Sequence, residues 1–482
     1  MFGTGAFPIT HVSLSGRRIL PLAALCVVFA GVAPASGYPL FSPPSRTYET
    51  AGQVTALAVG DMNGDGKPDL VVANEAARAV SILLGSGDGR FSGPIIMTTS
   101  VSPVSLALAD LDSNGALDLI IGMQGGIGIR MGQGGGVFLP LAVRIVPGQP
   151  WQVLSCHLNA DAHPDLVYRD ANGLAVQSIL GNGDGTFGSV LVRSGLPYPN
   201  GIAVGDLNAD GKLDLLVGTG DCGGELSRAL GNGDGTFGPV LQFDPLVCNP
   251  VSPTIGDVTG DGHADAVISV LGRSKAYVYP GNGNGTFGAK VEYALGGASF
   301  ELLLADFNLD GRPDVAAAAA SSGVVSTLLA TESGLLPRQD CTVGSNVYAL
   351  ASGDFNLDGL PDLVVGGSAS KLVTILLNTG GLLPLAVSFD GSHGNRFGLR
   401  ISPSPLARSS RVSFTLGTRA AVRLRVFDLA GRLVADRDLG ELGPGAHEAR
   451  LGLDVESTRA GFYIVQLSAG SEHAAVGAPF VE

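Results

Sequence analysis

A nine-residue acidic motif recurs seven times along this chain at nearly constant spacing, and such a repeat dictates architecture before any single residue does. The copies are DMNGDGKPD from Asp61, DLDSNGALD from Asp110, HLNADAHPD from His157, DLNADGKLD from Asp206, DVTGDGHAD from Asp257, DFNLDGRPD from Asp306 and DFNLDGLPD from Asp354. Successive starts are separated by roughly 50 residues, a period that suits one supersecondary unit per repeat. Each unit has the same internal order. An apolar run such as VTALAVG leads into the motif, a second such as DLVVAN or DLIIGM follows at once, and a third ends in a glycine-rich turn such as GNGDG. A fourth run leads to the next unit. The runs are short, aliphatic or β-branched, and bounded by Gly, Asp, Asn and Pro, which makes them strands. Four strands per unit predict the blades of an all-β, seven-bladed β-propeller.

The way the ring closes is also written in the spacing. Phe91, Phe138, Phe187, Phe237 and Phe287 open the fourth run, each at nearly the same offset ahead of the next motif. Phe41 stands at that same offset ahead of Asp61, so the chain enters the ring inside a blade. The seventh unit has three clear runs, ending near Leu377, and a degenerate turn at Asn378-Thr379-Gly380. Residues 42–49 are therefore expected to complete the seventh blade, and closure removes sheet edges that invite aggregation.

The motif D-x-[DN]-x-D-G-x-x-D puts oxygen side chains at positions one, three, five and nine of a tight loop. Hard oxygen donors without Cys or His suit calcium better than zinc. The expected ligands are Asp61, Asn63, Asp65 and Asp69 in the first loop and Asp110, Asp112, Asn114 and Asp118 in the second. Asp206, Asn208, Asp210 and Asp214 serve the fourth, and Asp257, Thr259, Asp261 and Asp265 the fifth. Asp306, Asn308, Asp310 and Asp314 serve the sixth, and Asp354, Asn356, Asp358 and Asp362 the seventh. The third offers Asn159, Asp161 and Asp165, but His157 takes position one and Ala162 replaces the glycine, which leaves its occupancy open. About six structural Ca²⁺ ions are expected. The loops hold 20 of the chain's 43 acidic residues, three in each of six loops and two in the third. Such crowding repels itself unless a cation offsets it. Asp, Asn and Gly also favour turns by themselves, but turn chemistry alone gives no reason for an aspartate at position nine in all seven copies. In the GNGDGTF turns, Asp184 and Asp234 are read as turn formers rather than ligands.

The seven motifs and the GNGDGTFG turns (Gly181 to Gly188, Gly231 to Gly238) resemble the FG-GAP/VCBS repeats of integrin-α-like propellers. The resemblance covers about residues 40 to 390. It implies a propeller with calcium in its blade loops and no single activity, since that family includes adhesins, lectins and domains attached to enzymes.

Composition narrows the functional classes. Hydrophobic residues make up 45% despite 72 glycines, which excludes a disordered chain. A net charge of -14 with no basic run excludes a nucleic-acid partner. At the N-terminus, Arg17-Arg18, an apolar run from Ile19 to about Ala33, and Ala33-Pro34-Ala35 form the pattern of a signal peptide over residues 1–35. The apolar run is shorter than the roughly 20 residues a membrane-spanning helix needs, and no other segment approaches that length. Export is expected, to the extracellular space or outer cell surface, with the periplasm as the alternative. An exported chain can oxidise its cysteines. Cys222 and Cys248 sit in connections expected on one face of the fourth blade and are the predicted disulfide. Cys156 replaces the glycine of Gly60, Gly205 and Gly256 and is expected to be buried and inert, while Cys341 has no evident partner.

Residues 390–398 read as a polar linker after a propeller spanning 40–389. From 399 to 482 the runs RVSFTL, AVRLRVFDLAGRLVA, HEARLGLD and AGFYIVQLS alternate apolar and polar residues, as in a small β-sandwich. Their order is similar to the Ig-like C-terminal sorting domains of type IX secretion, on Ser402-Pro403, Val426-Phe427-Asp428, Gly431-Arg432, Gly445, His447 and Gly461-Phe462-Tyr463. Leu451 stands where a tryptophan is common, and the C-terminus lacks the usual basic residues. The resemblance implies the secretion machinery as a partner.

Catalytic patterns are missing. There is no H-E-x-x-H, G-x-S-x-G or P-loop, the histidines are scattered, and the glutamates form no glycosidase pair. The expected function is therefore non-enzymatic: a secreted or cell-surface binding and adhesion module for an extracellular protein or glycan. A carbohydrate-binding or lyase-like propeller is the alternative, and a scaffold without specific ligand the third. Binding residues belong on the loops away from the acidic motifs, where Trp151, Tyr198, Pro199 and Asn200 are candidates.

Overall fold

The computed structural model describes residues 40–41, 46–170, 175–196, 198–220, 225–245, 249–344, 346–380, 397–402, 410–428, 433–451, 461–469 and 472–480. The chain is all-β. Seven four-stranded antiparallel sheets lie among the described residues up to 380. The first is Ala56–Gly60, Asp69–Asn74, Ala79–Leu83 and Ile95–Thr98, and the pattern repeats with each acidic motif. The motif is the loop between first and second strands, and the second strand always begins at its ninth residue: Asp69, Asp118, Asp165, Asp214, Asp265, Asp314 and Asp362. The first strands of consecutive sheets pack against one another, and the last packs against the first. That order closes a propeller-type ring.

Burial within each sheet follows position in the ring. Second strands such as Asp69–Asn74, Asp118–Met123 and Asp265–Val270 are buried at every residue, because both faces meet neighbouring sheets. Their near-continuous Val, Leu and Ile sequences suit burial on two sides. Outer strands such as Ile95–Thr98 are mostly exposed. The expected phenylalanines precede the outer strand proper in four sheets. Phe91, Phe138, Phe237 and Phe287 pair singly with Gly85, Gly132, Gly231 and Gly281, while Phe187 begins its strand.

The last sheet is completed from the other end of the chain. Arg46–Glu49 pairs antiparallel with Leu372–Leu376, with Arg46 opposite Ile375. Phe41 pairs singly with Asn378, is buried, and meets Phe307 edge-on at 5.5 Å. Thr379 donates its N–H to the Leu40 carbonyl.

Five of the seven first strands carry a shared irregularity at their start. Their registers skip one residue between Pro103 and Ser105, Pro150 and Gln152, Pro199 and Gly201, Ser299 and Glu301, and Val347 and Ala349. The skipped residues Val104, Trp151, Asn200, Phe300 and Tyr348 are bulges, which turn a side chain out of the ladder. Side chains at or just after these register shifts, including the one between Val251 and Thr254, reach the next sheet. Gln152 exchanges two hydrogen bonds with the Ile202 backbone, Ser252 exchanges two with Leu302, and Glu301 accepts the Leu350 N–H.

Beyond the ring, Arg400–Ser402, Arg411–Leu416 and Gly445–Arg450 form one sheet. Ala420–Asp428, Leu433–Leu442, Gly461–Ala469 and Glu472–Phe480 form another. Val412, Phe414 and Leu416 of the first share a core with Val422, Leu424, Val465 and Leu467 of the second. The long run AVRLRVFDLAGRLVA divides into two paired strands.

The predicted signal segment, the linker up to Arg396, and both Cys222 and Cys248 lie outside the described residues. Cys341 is free and buried. Cys156 is free but half-buried rather than fully buried, because it ends a strand at the acidic-loop side. Burial and the Asp165 carboxylate push its thiol well above the usual range, which keeps it unreactive.

Candidate metal centres in the acidic loops

Six of the seven loops share one scaffold. In the first, second, fourth, fifth, sixth and seventh, the position-one carboxylate accepts the backbone N–H groups of positions five and six at 2.7–3.2 Å. Oδ1 of position five accepts the N–H of position seven in all seven loops. The side-chain oxygen of position three accepts the N–H of position five in all but the fifth. Position six is glycine at positive φ in all six, and position four is also left-handed, including Leu309 and Leu357. These bonds fold the loop so that its oxygen side chains share one side.

Position nine does something else first. All seven aspartates are fully buried. Oδ2 accepts the N–H of position two, and Oδ1 accepts the N–H at the close of the third strand, at Gly85, Gly132, Gly181, Gly231, Gly281, Ala330 and Asn378. Distances are 2.7–3.0 Å. The carboxylate thus clamps loop to turn within its sheet. Turn chemistry alone gives no reason for this aspartate, and the clamp supplies one besides metal binding, since it requires two acceptor oxygens. At Gly85, Gly181 and Gly231 a Cβ would come within 2.1–2.2 Å of a facing carbonyl oxygen, so the clamp also accounts for the glycine.

The residues present suit a calcium ion. Asp110, Asp112 and Asp118 bring carboxylate oxygens within 4.8 Å of one another. In the fifth loop the Thr259 hydroxyl, at position three, is buried beside the Asp265 carboxylate, so both oxygens could face one cation. Each carboxylate oxygen offers two lone pairs, so an aspartate holding an N–H can still ligate. The third loop departs from the scaffold. His157 is exposed, and neither Ala160 nor Ala162 has positive φ, so Asn159 and Asp161 lack the position-one cradle. Asp165 keeps its clamp.

Burial raises the clamp carboxyls, to about 6 for Asp69, Asp118 and Asp265 and to about 7 for Asp314, against their N–H bonds and with help from neighbouring carboxylates. Asp362 is raised well above its ordinary value, mainly by burial. Raised carboxyls hold protons in the folded state that the unfolded chain has released. Stability of calcium-free protein should therefore fall as pH rises from about 4 to about 7. Calcium displaces those protons, so its stabilising increment should grow over the same range. Melting with and without chelator at about pH 5.5 and about pH 8 tests both signs.

Clamp and ligand roles separate by mutation. Asp69→Asn keeps the volume but turns an amide toward an N–H donor, and should cost about 2–4 kcal/mol in denaturant titration even in chelator. Asp65→Asn should be nearly neutral in chelator and reduce only the calcium increment. Equal behaviour of the two variants would refute the division.

The glycine-rich turns lock neighbouring sheets together. The N–H groups of Gly89, Gly135, Gly185 and Gly285 donate to carbonyls at position two or three of the preceding sheet's loop: Phe355, Asn63, Leu111 and Leu207. Asn378, in the turn that diverges, reaches the Phe307 carbonyl with its side-chain amide instead. Asp184 and Asp234 each bond the N–H and hydroxyl of the following threonine, which lowers their pKa. Asn284 makes the same pair of bonds without charge. These residues shape turns, as expected.

Family models agree with the repeat. The FG-GAP-like repeat matches residues 61–121, 157–217 and 257–317, and the FG-GAP repeat matches 346–374. The chain carries FG-GAP repeats on a propeller-type fold. No curated protein matches it. Among solved structures, BBS1N in complex with ARL6DN, soaked with mercury, is 14% identical with a TM-score of 0.52, over 71% of this chain and 98% of that one. An Agrocybe aegerita lectin that recognises non-reducing terminal N-acetylglucosamine is 21% identical with a TM-score of 0.46, over 68% and 87%. These likenesses concern the fold alone.

Proposed function

We propose that this chain is an exported, calcium-binding propeller that acts as a secreted or cell-surface binding and adhesion module, without catalysis of its own. The observation that carries the reading is the common oxygen scaffold in six loops, which calcium would stiffen on one face of the ring. A rigid ring with one face fixed leaves the opposite loops to hold a ligand. Extracellular calcium is plentiful enough to fill weak sites, which fits the signal-like N-terminus. The C-terminal sandwich, by its resemblance to sorting domains, would engage the secretion machinery.

The alternative, carbohydrate binding in support of polysaccharide processing, is favoured by one exposed Trp151 beneath the Arg169 guanidinium, 5.9 Å from its ring centroid. Binding of immobilised full-length protein to cells and to a glycan array, with calcium and then with chelator, tests both. Calcium-dependent cell binding is the expected result. Retention of no surface and no glycan in calcium would leave only a scaffold and overturn the reading.

A further inference from the structure

We propose that the mouth of the ring, on the face away from the acidic loops, binds an acidic sugar residue of a glycan, with Arg169 holding the anion and Trp151, Phe300 and Tyr348 forming its walls. The proposal rests on the binding-module reading and names its site and ligand class. Trp151, Phe300 and Tyr348 are the bulged residues at the start of three first strands, so the same irregularity points each of them out of its ladder. First strands surround the axis of the ring, and their starts lie at the end opposite the acidic loops. All three rings are partly exposed, at 46%, 37% and 37%. Phe300 and Tyr348 lie 5.1 Å apart, tilted by 38°.

Arg169 sits opposite Gln152 on the second strand of the third sheet and donates to the Pro199 carbonyl in the fourth. Its Nε is buried without a partner, and it forms no ion pair among the described residues. Burial lowers its pKa to about 10, with Tyr348 as the neighbour whose charge it feels. Tyr348 belongs to the seventh sheet, three sheets away around the ring, and lies near enough across the axis for its charge to be felt at Arg169, with the Glu301 carboxyl also near Tyr348. A half-buried cation without an ion-pair partner among the described residues, in a chain of net charge -14, is a ready place for an anion. Aromatic walls add stacking faces for the apolar side of a pyranose ring. A carboxylated or sulfated sugar supplies both features. An acidic peptide supplies the anion without the ring.

The test is calorimetry with the full chain in calcium. Probes are an oligogalacturonate, its methyl ester, a sulfated galactan oligosaccharide and an oligoglutamate. One or both acidic sugars should bind, and the ester and peptide should not. Arg169→Met, which keeps the side-chain length, should weaken binding about 10- to 100-fold, and Trp151→Ala should weaken it with an unchanged melting temperature. The carboxylated and sulfated arms distinguish the two sources of charge. Equal binding of the methyl ester, preference for the peptide, unchanged affinity in Arg169→Met, or no binding of either acidic sugar would overturn the site. If Arg169→Met still adheres to cells as the parent does, the module reading stands and this site falls.

Discussion

Withdrawal of calcium should lower the melting temperature of the full chain by about 3–12 °C. The estimate follows from the loops. Sites of this extracellular kind have dissociation constants of ~10⁻⁴–10⁻³ M, so about 1 mM calcium gives each about 0.4–1.4 kcal/mol, and six such sites sum to roughly 2–8 kcal/mol. Six ions would also bring about twelve positive charges to a chain of net charge -14. Magnesium should restore less than calcium, because it keeps its waters and demands octahedral geometry. Scanning calorimetry in chelator, then with each metal restored, is the measurement. An unchanged melt in excess chelator would remove the metal from the account and leave the clamps as the whole reason for the motif.

Removal of the residues up to Glu49 should be as damaging. The seventh sheet would lose Arg46–Glu49, and the sixth and seventh would lose Leu40 and Phe41 from their shared core. Tyr48 would also go, and with it an edge-on contact to Phe91 at 5.6 Å and a hydrogen bond to the Phe91 N–H. Phe41→Ala alone should cost about 3–5 kcal/mol. Truncation should leave little folded protein, judged by near-ultraviolet circular dichroism and proteolysis. Parent-like stability of the truncated chain would show that the first and seventh sheets hold together without the strand.

Much of this fold can be read from spacing. Seven motifs locate the loops and second strands, and the offset of Phe41 from Asp61 locates the strand that completes the seventh sheet. Two things cannot be read. The clamp at position nine needs the third strand to return beside the loop, so Asp69 and Gly85, distant in sequence, give no local sign of their bond. The Trp151, Arg169 and Tyr348 group joins residues from the third and seventh repeats. Only closure of the ring brings them together, and a bulge, invisible in composition, aims two of them. Trp151 is a candidate from its loop position, whereas Arg169 looks like any arginine in a strand. Of the other loop candidates, Tyr198 is exposed at positive φ, Asn200 is half-buried, and Pro199 is buried and serves as the carbonyl that Arg169 holds.

The strand borrowed from the N-terminus also sets an order of events in time. Arg46 pairs with Ile375, so a segment made ahead of all seven motifs has no partner until the last repeat has been made. Six sheets can form from neighbours in sequence, each within its own repeat. The seventh requires the whole repeat region to close as one loop, from Glu49 to Leu372. That entropic cost rises only with the logarithm of loop length but must be met before any contact rewards it. Until then the Leu372–Leu376 strand presents an open edge. A chain still being synthesised therefore cannot complete its ring, and the vulnerable interval for misassembly ends only when both ends of the repeat region are free to meet.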